Sequence, residues 1–155
     1  MTDIPAESDH IDGDTLTMVR VFDASREQAF DAWTNPDLVS LWWGPAGLRT
    51  PRDSVRIVAE VGGAWAATMI DDHGAEFPAE SIFTVLDRPN RIELTAAPGS
   101  DIPSTLSITF EEADGKTIMT VVNRVLAEAP GLESMAQGWA SILDKFRATL
   151  LEAAQ

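Results

Sequence analysis

LESMAQGWASILDKFRATLL, residues 132–151, is the stretch on which the fold turns. Its apolar residues Leu132, Met135, Ala136, Trp139, Ile142, Leu143, Phe146 and Leu150 recur at spacings of three and four, which places them along one stripe of a long helix. A stripe of that length must be buried against another apolar surface, and the residues upstream supply one. From about Ser54 to Val125 the chain reads as short strands divided by turn residues: Gly62-Gly63, Asp72-His73-Gly74, Arg88-Pro89-Asn90, Pro98-Gly99-Ser100 and Asp114-Gly115. Consecutive strands with short turns predict an antiparallel meander. Alternation puts Trp65, Ala67 and Met69 on one face, with Leu106, Ile108 and Phe110 likewise, and Met119, Val121 and Asn123 likewise. These faces are expected to meet the helical stripe after the period changes at Ala129-Pro130.

Further upstream, Leu16, Met18, Val19, Val21 and Phe22 predict a first strand over Thr15–Asp23. Ser25 followed by Gln28 has the form of a capping box, and Ala29, Phe30 and Trp33 continue at helical spacing. Asn35-Pro36 ends that helix and starts a second, in which Leu38, Leu41 and Trp42 are expected to face inward until Gly44-Pro45 stops it. The sum is an α+β fold: a curved antiparallel sheet wrapped around a long C-terminal helix, with two short helices after the first strand. Residues 15–155 form a single domain on this reading. Residues 1–14 carry Asp3, Glu7, Asp9, Asp12 and Asp14 without Lys or Arg, and are expected to be an acidic, solvated and frayed tail.

Composition excludes several functions. The net charge of -14 would repel phosphate backbones and anionic headgroups, so neither nucleic acid nor a membrane surface is expected as a partner. With no cysteine in 155 residues, disulfides, a thiolate nucleophile and a Cys-bearing zinc site are chemically out of reach. There is no basic segment leading into an apolar one at the start and no apolar run of membrane-spanning length. A cytoplasmic location is the expectation. Neither a nucleophile elbow nor a phosphate-binding or dinucleotide loop occurs; Gly62-Gly63 lacks the strand-turn-helix setting such loops need.

The segment Ala24 to Pro36, Trp42-Trp43-Gly44-Pro45, Gly62-Gly63, Asp87-Arg88-Pro89-Asn90-Arg91 and Gly138-Trp139, in this order, resemble the SRPBCC (START-like) superfamily. Within it they are most similar to the branch related to the Aha-type activator of the heat-shock chaperone (Hsp) ATPase. The resemblance covers about Leu16 to Leu151 and implies a helix-grip fold with a cavity between sheet and C-terminal helix, often suited to hydrophobic small molecules. It also implies a chaperone as a possible partner. Two positions depart from the pattern: Glu60 stands where many relatives carry a basic residue, and Asn123 where many carry histidine.

The expected ligand site consists of Trp43, Trp65, Met69, Phe110, Met119, Asn123 and Trp139. Tryptophans supply large apolar surfaces, methionines adapt to varied shapes, and a carboxamide on an inward face can orient a ligand carbonyl or hydroxyl. Each of these residues has an alternative as ordinary core, and Asn123 as a satisfied structural amide. Arg20 and Glu80 have ambiguous parity. His73 with Asp71, Asp72 and Glu76 gathers acid–base groups at a hairpin tip, where ordinary turn chemistry is the better account of them. No catalytic residue, metal site or cofactor is expected. The leading expectation is binding of a small, mostly apolar ligand; the alternatives are a chaperone-activator-like interaction module and a cyclase- or hydrolase-like enzyme using an inward group such as Glu80.

Overall fold

The structure, a computed structural model, describes residues 4–97, 104–125 and 132–153. The turn marks Pro98-Gly99-Ser100 and Ala129-Pro130 lie outside the described residues, as does Asp3. Among the described residues eight strands form one curved antiparallel sheet: β1 (Ser8–Asp12), β2 (Thr15–Phe22), β3 (Arg56–Ile57), β4 (Ala64–Ile70), β5 (Glu76–Asp87), β6 (Arg91–Ala96), β7 (Ser104–Ala113) and β8 (Lys116–Val125). Their order across the sheet is β1-β2-β8-β7-β6-β5-β4-β3. Among the described residues there are three α-helices, α1 (Arg26–Thr34), α2 (Pro36–Trp42) and α3 (Leu132–Ala153); α1 and α3 pack on the sheet, and α2 packs on α1 and α3. This is the α+β, helix-grip arrangement that the sequence predicts. Among the described residues no helix is long and apolar enough to cross a membrane.

Local chemistry sets the helix ends. Ser25 Oγ accepts from Gln28 N at 3.1 Å while Gln28 Oε1 accepts from Ser25 N at 3.0 Å, closing the capping box. Asn35 Oδ1 then accepts from Asp37 N at 3.0 Å and Pro36 takes the first helical position, so α2 begins one residue after α1 ends. The face of α2 differs from expectation. Val39 and Trp42 are buried, whereas Leu41 is 58% exposed. Position 39 stands one helical turn before 42 and therefore shares its face, while 41 is rotated away from it.

Alternation holds through most of the sheet. Leu16, Met18 and Phe22 of β2, Ile108 and Phe110 of β7, and Met119 and Val121 of β8 are buried beneath the helices. In β5 the register shifts between Phe83 and Val85, opposite Leu94 and Glu93. That bulge reverses parity, so Phe83 and Leu86 both reach the core although they stand an odd number of positions apart. Gly62 and Gly63 form the connection into β4. Gly62 has φ +89°, and a Cβ on Gly63 would lie 2.1 Å from the Val58 carbonyl oxygen, so each glycine answers a different steric demand.

The expected frayed tail is corrected by β1. Ser8–Asp12 pairs antiparallel with Thr15–Val19 of β2, after a turn in which Gly13 has φ +62°. The predicted first strand is therefore the second. The sequence offered no cation inside the tail, but partners come from elsewhere: Arg20 Nη1 bonds Asp9 Oδ1 at 2.7 Å and the Ser8 carbonyl at 3.2 Å, and Arg147 on α3 pairs with Glu7. Glu7 also accepts from Val21 N at 3.0 Å.

Candidate functional site

Between the inner face of β4–β8 and the first half of α3 lies a cavity of about 330 Å³. Trp65 and Met69 of β4, Ala79 and Ser81 of β5, Leu94 of β6, Ser104 and Leu106 of β7, and Asn123 of β8 form its floor. Met135, Gly138, Trp139 and Ile142 of α3 form its roof, and Trp43 closes one side.

Trp43 is placed by the segment that follows α2. Thr50 Oγ1 donates to the Trp43 carbonyl at 2.6 Å, and Arg49 pairs through both backbone groups with Ile70 at the end of β4. On the other side the segment is tied to α3: Ala46 N donates to Ser141 Oγ at 2.7 Å, and Lys145 Nζ donates to the Leu48 carbonyl at 3.1 Å. Burial of Lys145 pushes its ammonium below the ordinary lysine value, because water that would solvate the charge has been displaced.

The Trp43 ring stands edge-on to Trp65, Trp139 and Trp42, with centroids at 4.8, 5.7 and 5.8 Å. Two of these neighbours have hydrogen-bond partners: Trp65 Nε1 donates to the Trp33 carbonyl and Trp42 Nε1 to the Ala32 carbonyl, both at 2.9 Å. Among the described residues Trp43 Nε1 is the buried side-chain donor left without a partner. It is enclosed by aromatic rings, whose faces are weak acceptors.

Of the seven residues expected to line a ligand site, the fold brings Trp43, Trp65, Met69, Asn123 and Trp139 to the cavity. Phe110 and Met119 are not among its lining. Phe110 packs on Phe30 of α1 with centroids 5.7 Å apart, and the Met119 sulfur accepts from Trp33 Nε1 at 3.5 Å. Both face inward as alternation predicts, but α1 already occupies that half of the sheet. Ala79, Ser81 and Gly138 escaped the sequence reading. Their signal was small size at positions facing inward, where a filled core would carry bulk.

The other candidates fall elsewhere. Arg20 is on the inner face but is held by Asp9. Glu80 is exposed, because the neighbours Ala79 and Ser81 take the cavity side of β5. Glu60 is exposed and outside the cavity lining. Asp71 Oδ1 accepts from His73 N at 2.8 Å and from Ala75 N at 2.9 Å, which is the turn chemistry of that hairpin tip. Among the described residues no group of three or more His, Cys, Asp or Glu is placed to hold a metal ion.

Among the described residues the cavity lining therefore offers apolar surface, one carboxamide and two hydroxyls, with no ionisable side chain. It can hold an apolar body and orient a polar group by hydrogen bonds.

Comparison with known proteins agrees with this architecture. A crystal structure of a protein from Chromobacterium violaceum superposes with a TM-score of 0.80 at 21% identity, covering 88% of this chain and 96% of that one. The AHSA1 protein from Silicibacter pomeroyi superposes at 0.76 with 22% identity, covering 90% and 99%. The AHSA1-like protein from Aeromonas hydrophila, solved by solution NMR, does so at 0.74 with 21% identity, covering 89% and 94%. At such identities these likenesses establish the fold. No curated protein matches the chain in sequence. Residues 23–151 do match a family as a whole, and on that match the chain belongs to the family described as Activator of Hsp90 ATPase homolog 1-like protein, within the helix-grip superfamily.

Proposed function

We propose that this protein binds one small, mostly apolar molecule in the cavity beneath α3. The observation that carries the proposal is the cavity itself, about 330 Å³ walled by Trp43, Trp65 and Trp139, in a chain that elsewhere packs Trp33, Trp42, Phe146 and Met119 to zero exposure. Protein interiors are close-packed, and unfilled space forfeits the dispersion contacts that a guest would restore. The volume lies at the small end of the roughly 300–1,000 Å³ range of ligand sites. The proposal keeps the cytoplasmic setting expected from the sequence. Its test is native mass spectrometry of protein purified from its own host, followed by denaturing release. A stoichiometric apolar molecule supports the reading. Protein that carries no molecule, and whose Trp65 and Trp139 indole resonances stay unmoved across a panel of small apolar probes, would sink it.

The family match favours a second reading, docking on a chaperone ATPase through the outer surface. Leu41, Val58, Val61 and Phe77 are exposed apolar residues available for such a contact. Chaperone ATPase turnover measured with and without the protein tests it. Stimulation that persists when the cavity is filled by Gly138→Leu would put this reading ahead of the first; unchanged turnover would remove it.

A further inference from the structure

Asn123 lies on the inner face of β8, opposite Leu16 of β2 on one side and Leu106 of β7 on the other, with 7% of its surface exposed. An apolar residue would satisfy that position as core. The carboxamide there is poorly served by the protein: Nδ2 reaches only the Met135 sulfur, at 3.5 Å, and a thioether is a weak acceptor. Among the described residues no donor reaches Oδ1. Oδ1 is not among the buried atoms left without a partner, so it opens onto the cavity, where a guest that displaces water must replace the hydrogen bond water would make.

The rest of the cavity narrows what that partner is. Ser81 and Ser104, its two hydroxyl-bearing residues, make no side-chain hydrogen bond among the described residues, so polar capacity is concentrated on uncharged groups. Among the described residues no Lys, Arg or His lines the cavity to neutralise a carboxylate or phosphate, and no Asp or Glu to neutralise an ammonium. A charged ligand would be buried without a counter-charge, which the low-dielectric surroundings strongly disfavour. Of the two ends of the carboxamide, the acceptor is the one without any partner, so a ligand donor is needed before a ligand acceptor.

Resting on the ligand-binding reading above, we infer that the cavity selects an uncharged molecule whose apolar body carries a hydroxyl, and that this hydroxyl donates to Asn123 Oδ1. The two serine hydroxyls and Nδ2 remain to donate to the ligand oxygen.

Three probes of nearly equal shape separate the possibilities: p-cresol, p-xylene and p-toluate, titrated into the full chain and followed by NMR of the tryptophan indole and asparagine side-chain amide resonances. p-Cresol is expected to bind at least as tightly as p-xylene despite its greater hydration, and p-toluate not measurably. In Asn123→Leu, p-cresol affinity should fall about tenfold while p-xylene stays within about twofold. A second readout needs no variant. In the native protein the Asn123 side-chain amide signals should move further with p-cresol than with p-xylene.

Equal binding of p-cresol and p-xylene, unaffected by Asn123→Leu and with equal amide shifts, overturns the role of Asn123 and leaves the cavity reading standing. Tightest binding by p-toluate overturns the uncharged class. Failure of all three to bind overturns the cavity reading, and this inference with it.

Discussion

Under the second half of α3, Phe146 packs on Phe22, Trp33 and Trp42 with ring centroids 5.3, 6.0 and 5.0 Å apart, and Leu143 and Leu150 are buried beside it. Under the first half, Met135, Gly138, Trp139 and Ile142 of the same helix look onto open space. The sheet beneath is continuous from one half to the other, and apart from the bulge in β5 its inward side chains alternate with the same period. What differs is a third contributor. Helix α1 sends Phe30 to Phe110 and Trp33 to Met119, so one half of the sheet is filled from outside the sheet–helix pair and the other is not. A cavity in this fold is thus the place where sheet and long helix face each other and the short helices do not reach.

The largest effect that would test this contrast comes from truncation at the two ends of α3. Phe146→Ala should destabilise by roughly 3–5 kcal/mol, since removing a buried aromatic loses its transfer free energy and leaves a void among three rings. Met135→Ala should cost under about 2 kcal/mol, because part of that side chain already borders empty space and little new void is made. Urea unfolding of both variants measures the difference. Equal losses would mean that the space beneath Met135 is closed in solution.

Enlarging side chains should reverse the order. Ala32 on α1 is fully buried at the filled end, and Ala32→Leu should destabilise by roughly 1–3 kcal/mol through overpacking. A Cβ added at Gly138 meets nothing within 4 Å. Gly138→Leu should therefore stabilise the protein by about 0.5–1 kcal/mol from helix propensity alone, while removing binding of any cavity probe. A melting temperature that rises as probe binding disappears would show that the space at Gly138 is kept for an occupant at the expense of stability.

This contrast also explains what could be read in the sequence. The order of elements, the capping box at Ser25 and Gln28, and the inward faces of β4, β7 and β8 follow from local chemistry and period, which act over a few residues. Trp139 came with them through its helical stripe, and Trp65, Met69 and Asn123 because inward parity is necessary for lining a cavity. It is not sufficient. Phe110 and Met119 have the same parity, and whether an inward side chain meets space or another side chain depends on how far α1 reaches across the sheet. Nothing in a strand records that. Likewise β1 was hidden because its cations, Arg20 and Arg147, lie 11 and 140 residues from the carboxylates they meet, Asp9 and Glu7.

The smallest effect distinguishes the polar ties at the two ends. At the filled end the Arg147 guanidinium lies 5.0 Å from the Phe22 ring centroid and pairs with Glu7, fastening the segment before β1 to α3. Burial tends to raise the Glu7 carboxyl, but the hydrogen bonds from Val21 N and Arg147 outweigh it and hold the group below the usual glutamate value. Because the folded value lies below the unfolded one of about 4.3, the stabilisation is fully present above that pH and is lost as pH falls through the folded value. Both side chains are about two-fifths exposed, so solvent screening limits the contribution to a few tenths of a kcal/mol and at most about 1 kcal/mol. The tie at the hollow end behaves differently: Lys145 is protonated in both states at acid pH, and its carbonyl acceptors do not titrate. Lowering the pH from 6 to 3 should therefore reduce the hydrogen-exchange protection factors of β1, corrected for intrinsic exchange rates, sooner than those of the segment 45–50. Glu7→Gln should lower β1 protection at pH 6 and remove most of its further loss at pH 3. Parallel loosening of both segments in the native protein would instead mean that the two halves of α3 unfold as one unit.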